Sequence, residues 1–187
     1  MIKRAFDIAL AGCALVVLAL PAALVALWVK LTSPGPVLYW SERVGRGNTI
    51  FLMPKFRSMR IDTPVVATHL LETPDQYLTP IGGLLRKSSL DELPQLWSIL
   101  KGDMSLVGPR PALFNQHDLI ALRTERSVHL LRPGLTGWAQ VNGRDEIPLA
   151  QKVELDAFYL RHQSFKLDLR ILALTFAKVL RSEGVAH

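Results

Sequence analysis

One cysteine, Cys13, is all that 187 residues contain, so no disulfide can form within the chain and a reducing compartment suits it. Neither Cys13 nor the histidines take zinc-ligand spacing, and His117 and His129 have no metal-binding partner one helical turn further on. The chain has no Gly-x-x-x-x-Gly-Lys loop and no Gly-x-Gly-x-x-Gly fingerprint, which excludes the usual nucleotide cradles. Aromatics make up only 7% and do not interleave with basic residues, so no nucleic-acid partner is expected. Internal repeats and low-complexity tracts are also missing. Acid is in short supply: 16 Asp and Glu stand against 22 Lys and Arg, giving a net charge of +6 and a pI near 9.8. That surplus points to an anionic partner, either a phosphorylated substrate or anionic lipid. The length is that of one domain with a sizeable core.

Long apolar runs, by contrast, are not lacking. Ala5 to Val29 carries one charge, Asp7, and is long enough to cross a bilayer as a helix. Lys3 and Arg4 precede the run and Lys30 follows it, so both flanks ask for the cytoplasmic side. Pro21 lies near the middle, where it removes a helical hydrogen bond. A bent segment that enters and leaves by one face satisfies both observations, although hydropathy alone suits an ordinary spanning anchor. Thr32 to Pro36 then marks a boundary, giving a membrane-embedded segment over 1–34 and a second unit over 35–187.

Val37 to Trp40 and Thr49 to Met53 read as short strands joined through Gly45 to Asn48. Lys55, Arg57 and Arg60 follow in a basic stretch. Residues Ile61 to Pro80 read as a loop, and Ile81 to Lys87 as a short helix that delivers Arg86 and Lys87 to what comes next. That is Ser89-Leu-Asp-Glu-Leu-Pro-Gln95, where Leu90, Leu93, Leu96, Trp97 and Leu100 recur at helical spacing from about Ser89. Two readings of Asp91 and Glu92 stand here. They fit a capping box, with Glu92 reaching back to the Ser89 amide. They also fit a site at a helix N-terminus, where the dipole keeps Asp91 ionised as a metal ligand or nucleophile. On a helix the two point about 100° apart, so one could cap while the other does chemistry.

Downstream, Arg110 is held between Pro109 and Pro111, and helices are expected over Asn115 to Leu131, Gln151 to Arg161 and Ser164 to Arg181. The last sets Phe165, Leu169, Leu172, Phe176, Val179 and Leu180 against Lys166, Arg170, Lys178 and Arg181, a pattern that suits a membrane-surface helix or a core helix. Between them lies Arg132-Pro-Gly-Leu-Thr-Gly-Trp-Ala-Gln-Val-Asn-Gly-Arg144. Its glycines permit close approach to a ligand or form a tight turn in a core, and Arg132 and Arg144 offer planar forks for phosphate.

Three of these stretches in this order, Ser89 to Gln95, Lys101-Gly-Asp-Met-Ser-Leu-Val-Gly-Pro-Arg-Pro111 and Arg132 to Arg144, resemble the bacterial sugar transferases called monotopic phosphoglycosyl transferases. The resemblance runs from Lys3 to Gly184 and fits the small members. It implies a mainly helical α+β fold with a re-entrant membrane helix, a short β-hairpin and a compact helical catalytic domain with amphipathic interfacial helices. That family's re-entrant helix breaks at a Ser-Pro pair, where this chain has Leu20 and Pro21. Pro54 stands where an aromatic residue is most common. The implied reaction moves a sugar 1-phosphate from a UDP-sugar to polyprenyl (undecaprenyl) phosphate, releasing UMP and requiring Mg²⁺. It would occur at the cytoplasmic face of the bacterial inner membrane, with the lipid bilayer as a third partner and a homo-oligomer left open. Carried over, Asp91 is nucleophile and Mg²⁺ contact, and Glu92 assists. Lys55, Arg86, Arg110, Arg132 and Arg144 bind substrate. Two other activities remain open: a glycosyltransferase that releases UDP, and a membrane-anchored basic binding module without turnover.

The basic flanks generate a topology test. With Cys13 replaced, Ile2→Cys is expected to resist an impermeant thiol reagent added outside intact cells. Rapid labelling from outside would establish a plain spanning helix.

Overall fold

Two helices share the apolar N-terminal run. In the computed structural model, which describes residues 2–66, 72–143 and 147–181, α1 (Ile2–Val17) and α2 (Ala19–Thr32) meet at a 62° bend. The break falls at Leu18 because the Pro21 ring excludes the carbonyl four residues back, at Val17, and Pro21 has no N–H to offer it. The ladder resumes on either side: the Leu18 amide donates to the Ala14 carbonyl and the Ala22 amide to the Leu18 carbonyl, both at 2.8 Å. No single described helix is long and apolar enough to cross a membrane, whereas the bent pair is so jointly.

One face of α1 belongs to the protein core. Ala11 is fully buried with Ile99, Met104, Val107 and Ile171. The lone acid of the run, Asp7, is buried too, and accepts hydrogen bonds from the Ser105 hydroxyl (2.8 Å) and the Leu106 amide (3.2 Å). Arg4 donates to the Ile99 and Leu100 carbonyls at 2.6 and 3.0 Å, which caps the C-terminal end of helix α4 (Gln95–Lys101). Lys3 pairs with Asp168 at 2.7 Å, and Phe6 meets Phe165 edge-on at 5.0 Å. Val16, Val17, Leu20, Leu24, Leu27 and Leu31 are exposed.

The expected hairpin is present but longer than its apolar pattern suggests. β1 (Leu38–Val44) and β2 (Ile50–Phe56) pair antiparallel from Leu38 opposite Phe56 to Val44 opposite Ile50. The turn uses positive φ at Gly47 and Asn48. The extra β1 residues, Ser41 to Val44, escape an apolar reading because Ser41 and Arg43 alternate on a polar, inward side.

The helix expected from Ser89 does not start there. α3 (Gly82–Lys87) ends, Ser89 turns left-handed at φ 56°, and Leu90–Glu92 forms a single 3₁₀ turn before α4 begins at Gln95. No side-chain cap forms at Ser89, so the capping box is absent. Pro94 explains the late start: its fixed φ suits a helix entry, and it cannot donate to a preceding turn.

β3 (Ser105–Val107) and β4 (Gly134–Thr136) pair in parallel, which lays the second and third sequence motifs side by side. Here the glycines meet backbone. A Cβ on Gly134 would stand closer to the Gly108 nitrogen, and one on Gly137 closer to the Gly108 carbonyl, than the 3.0 Å that real Cβ atoms keep. These contacts are what the tight core turn reading of the glycine-bearing segment requires. α5 (His117–Glu125) is shorter than expected, because Ser127 turns left-handed and a 3₁₀ turn, Val128–Leu130, follows. α6 (Trp138–Val141), α7 (Leu149–His162) and α8 (Phe165–Arg181) complete the order. α8 is two-faced: Asp168 and Ile171 are buried, while Phe165, Leu169, Phe176 and Val179 are exposed.

Gly134→Ala is therefore expected to force β3 and β4 apart, costing about 1–3 kcal/mol as other overpacked core changes do. Thermal unfolding of the purified chain checks this, with Gly12→Ala as the clash-free control: its Cβ meets nothing within 4 Å, and in the interior of α1 it should hold or raise stability.

Candidate functional site

The 3₁₀ turn puts both carboxylates on one cleft. Asp91 is 7% exposed, and the Lys55 ammonium lies 2.8 Å from Glu92 Oε1 and 3.9 Å from Asp91 Oδ2. The two acids do not divide into cap and catalyst, because a 3₁₀ turn preceded by a left-handed residue re-aims what an α-helix would splay. Ser89 is a non-glycine residue in the αL region, a conformation that costs about 1–2 kcal/mol and that clusters at functional sites.

Three further elements converge on this turn. Lys55 comes from β2, Arg86 from the last turn of α3, and Arg110 from the Pro109–Pro111 segment after β3. Arg110 donates to the same Glu92 oxygen at 3.2 Å, and Arg86 donates to Met59 Sδ at 3.4 Å. All three line a cleft of about 420 Å³ together with Asp91 and Glu92. Its other walls are mixed: Leu38, Met59, Ile61 and Val65 are apolar, whereas Ser41, Arg43, Arg123 and Lys152 are polar. Lys87, expected beside Arg86, is exposed and outside the cleft. Arg132 is likewise exposed and away from the cleft lining. Arg144 lies outside the described residues. Arg57 is no solvated surface residue: it is buried, donating to the Pro34 and Ser33 carbonyls where the chain leaves α2.

Burial, first of all, pushes the Asp91 carboxyl above the usual range, and the Glu92 charge adds to this; Lys55, Arg86 and Arg110 oppose it. Support for the ionised form thus comes from these cations and not from a helix N-terminus, since α4 starts four residues later. Among the described residues no three His, Cys, Asp or Glu side chains gather into a metal cage. The described residues of this cleft thus offer no all-protein calcium or zinc cage. A pair of cleft carboxylates, one of them engaged by Lys55 and Arg110, does suit Mg²⁺, which takes one or two carboxylates, keeps several waters and completes its shell with substrate phosphate.

Sequence reasoning overlooked four cleft residues. Arg43 and Ser41 left a signal in the alternation of β1, but Arg123 and Lys152 left none. Arg123 is buried on α5 and pairs with Asp156 of α7 through Nε (3.0 Å) and a second guanidinium nitrogen (2.6 Å). Its remaining nitrogen donates to the Arg110 carbonyl at 2.8 Å. The backbone that carries Arg110 is thereby fixed from behind.

Comparison with known proteins adds a second line of observation. The family described as "Bacterial sugar transferase" matches residues 1–182. The chain is 43% identical over 192 residues to the "Uncharacterized sugar transferase EpsL" of Bacillus subtilis, covering 99% of this chain and 90% of that protein. It is 44% identical over 164 residues to the "UDP-glucose:undecaprenyl-phosphate glucose-1-phosphate transferase" of Xanthomonas campestris, covering 83% of this chain and 34% of the relative. With the "Undecaprenyl-phosphate galactose phosphotransferase" of Salmonella typhimurium the identity is 36% over 200 residues, covering 98% and 41%. The chain thus spans nearly all of the first relative and well under half of the other two.

The Arg123–Asp156 pair generates a stability prediction with a sign. Burial raises the Asp156 carboxyl and Arg123 lowers it, burial being the larger effect. Arg123→Met removes the stronger of two opposing cations, Lys152 being the other, and leaves the buried carboxylate without its hydrogen-bonded partner, a loss of up to about 3–5 kcal/mol. The folded variant then holds a proton on Asp156 more tightly than the unfolded chain does. Stability from this group is greatest at low pH and falls as pH rises from the unfolded value through the folded one. Thermal unfolding should therefore show the variant's deficit to be smaller at pH 5 than at pH 8.

Proposed function

The chain belongs to the bacterial sugar transferase family, and on that premise we propose that it is an enzyme that transfers a sugar 1-phosphate from a UDP-sugar to undecaprenyl phosphate. The observation that carries this reading is the convergence of Lys55, Arg86 and Arg110 on the Asp91–Glu92 pair within one cleft. A donor diphosphate and a lipid phosphate both need cations, and the transfer needs a nucleophile or base between them.

The step runs as follows. An Asp91 carboxylate oxygen attacks the phosphorus next to the sugar; the bond from that phosphorus to the bridging oxygen breaks, and UMP leaves with the electron pair. Asp91 then carries the sugar phosphate as an acyl phosphate. An oxygen of the lipid phosphate attacks the same phosphorus, the Asp91–phosphorus bond breaks, and the carboxylate returns, leaving a lipid diphosphate sugar. Partial desolvation favours Asp91 as a nucleophile, since burial holds its carboxyl above the ordinary range while Lys55 lies within 3.9 Å to support the charge. Glu92, held by Lys55 and Arg110, orients both cations at the reacting phosphates. Mg²⁺ is the cofactor of this reading, with Asp91 as its protein ligand, and when bound it offsets phosphate charge.

Location follows the same proposal. The bent α1–α2 pair would enter and leave the inner membrane by its cytoplasmic face, with the catalytic unit on that face beside its lipid substrate. Exposed Leu20, Leu24, Leu27 and Trp28 on α2, Trp40 on β1 and Phe176 on α8 supply apolar surface for this contact.

Donor alone with Mg²⁺ is expected to release up to one UMP per enzyme and to add a sugar phosphate mass to the peptide bearing Asp91. Asp91→Asn should abolish the adduct, whereas Glu92→Gln should slow turnover and keep part of it. An active preparation that yields neither adduct nor stoichiometric UMP would replace the covalent route with direct transfer between donor and lipid. Release of UDP in place of UMP would overturn the reaction itself.

A further inference from the structure

Arg43 is a cleft cation that neither the motifs nor the proposed mechanism uses. It sits near the end of β1 and lines the cleft with Arg110. Two neutral acceptors hold it: its Nε donates to the hydroxyl of buried Ser41 at 2.9 Å, and a terminal nitrogen donates to the Pro111 carbonyl at 3.1 Å. Pro111 directly follows Arg110, so the two guanidiniums are anchored one residue apart along the same rigid segment. We propose that Arg43 and Arg110 form a two-arginine clamp on the diphosphate of the nucleotide donor; this rests on the transferase reading above.

Charge makes the argument. Arg43 takes part in no ion pair among the described residues, and the carboxylate whose charge acts on it is Glu92, which Lys55 and Arg110 already engage. Among the described residues that line the cleft, Asp91 and Glu92 are the acids and Arg43 is a cation that pairs with neither, so it adds positive charge to a partly buried cleft. Burial, followed by repulsion from Arg110, lowers Arg43 to about 10, so it remains a cation at neutral pH. Bringing two guanidiniums together out of water is unfavourable unless an anion joins them, and a diphosphate presents oxygens that match two planar forks. A purely structural role is poorly supported. The hairpin is already stitched to this segment by backbone, through the Val44 amide to the Ala112 carbonyl at 2.9 Å and a bridge between Arg43 and Leu113.

The test uses the full chain purified in detergent, with UDP as the probe. Arg43→Gln is expected to fold, as judged by circular dichroism, and to bind UDP roughly tenfold or more weakly, the loss of a charge-assisted contact. Arg43→Lys should fall between it and the wild type, because an ammonium keeps the charge but not the fork. In turnover, KM for the UDP-sugar should rise while KM for a short-chain polyprenyl phosphate stays within about twofold, a change too small to signal a lost charged contact. UDP affinity within about twofold of wild type for Arg43→Gln would overturn the clamp, since that is only a few tenths of a kcal/mol. So would a loss confined to the lipid KM, which would move Arg43 to the acceptor phosphate. Failure of both variants to fold would make Arg43 structural and overturn the clamp as well. If the wild type releases no UMP from any UDP-sugar, the transferase reading fails separately, and UDP binding still judges the clamp.

Discussion

The Glu92 carboxylate is the point on which the site depends, because it is where three remote segments of chain are held together by charge. Lys55 reaches it from a strand and Arg110 from a proline-bracketed turn, and both meet the same oxygen. In water each such pair would be worth little. Inside a cleft where Glu92 is mostly covered, removal of one partner strands the other, so the geometry is strongly cooperative. Asp91 is placed by the same arrangement: it shares a 3₁₀ turn with Glu92 and takes its nearest support from Lys55.

A second layer keeps those segments still. Arg123 grips the Arg110 carbonyl from one side and Asp156 from the other, so α5 and α7 act on the site without lining up as sequence neighbours of it. Below, β3 and β4 approach so closely that only glycine fits at 108, 134 and 137. α1 closes this layer through Asp7 and Arg4, whose partners are the start of β3 and the end of α4. An apolar helix that carries a buried acid and two docked cations is part of the protein core on one face, whatever its opposite face touches.

The exposed apolar residues belong to the same design. Leu20, Leu24 and Leu27 leave a hydrocarbon surface on α2, while α8 divides its residues between a buried face and an apolar open one. A water-soluble chain would bear that surface at a cost in solubility. Alongside a net charge of +6 it suits a protein that works against an anionic, apolar neighbour.

Much of this was legible without coordinates. The bend followed from Pro21, the hairpin from Gly45 to Asn48, the helical character of the C-terminal third from its spacing, and the family from three motifs in order. Asp91, Glu92, Lys55, Arg86 and Arg110 were identified as one group through that resemblance, and the cleft gathers them. Local chemistry sufficed there because proline, glycine and apolar periodicity act over a few residues. Arg132 shows the limit: a planar fork in a glycine-bearing segment does not say where it lies, and here the segment packs backbone to backbone and leaves the side chain exposed, away from the cleft lining. Whether Asp91 and Glu92 capped a helix or faced a cleft could not be read from spacing either. That depended on a left-handed Ser89 and on cations arriving from 37 and 18 residues away. Arg123 and Asp156 were equally out of reach, since nothing near them in the chain says what they meet, and for Arg43 the alternation of β1 gave its side but not its partners. By itself the sequence determined the bent apolar helix pair, the hairpin and the C-terminal helices, and which residue types are present to do chemistry. Tertiary structure alone decided which charges are desolvated together, because burial and pairing between distant segments exist only once the chain has closed on itself.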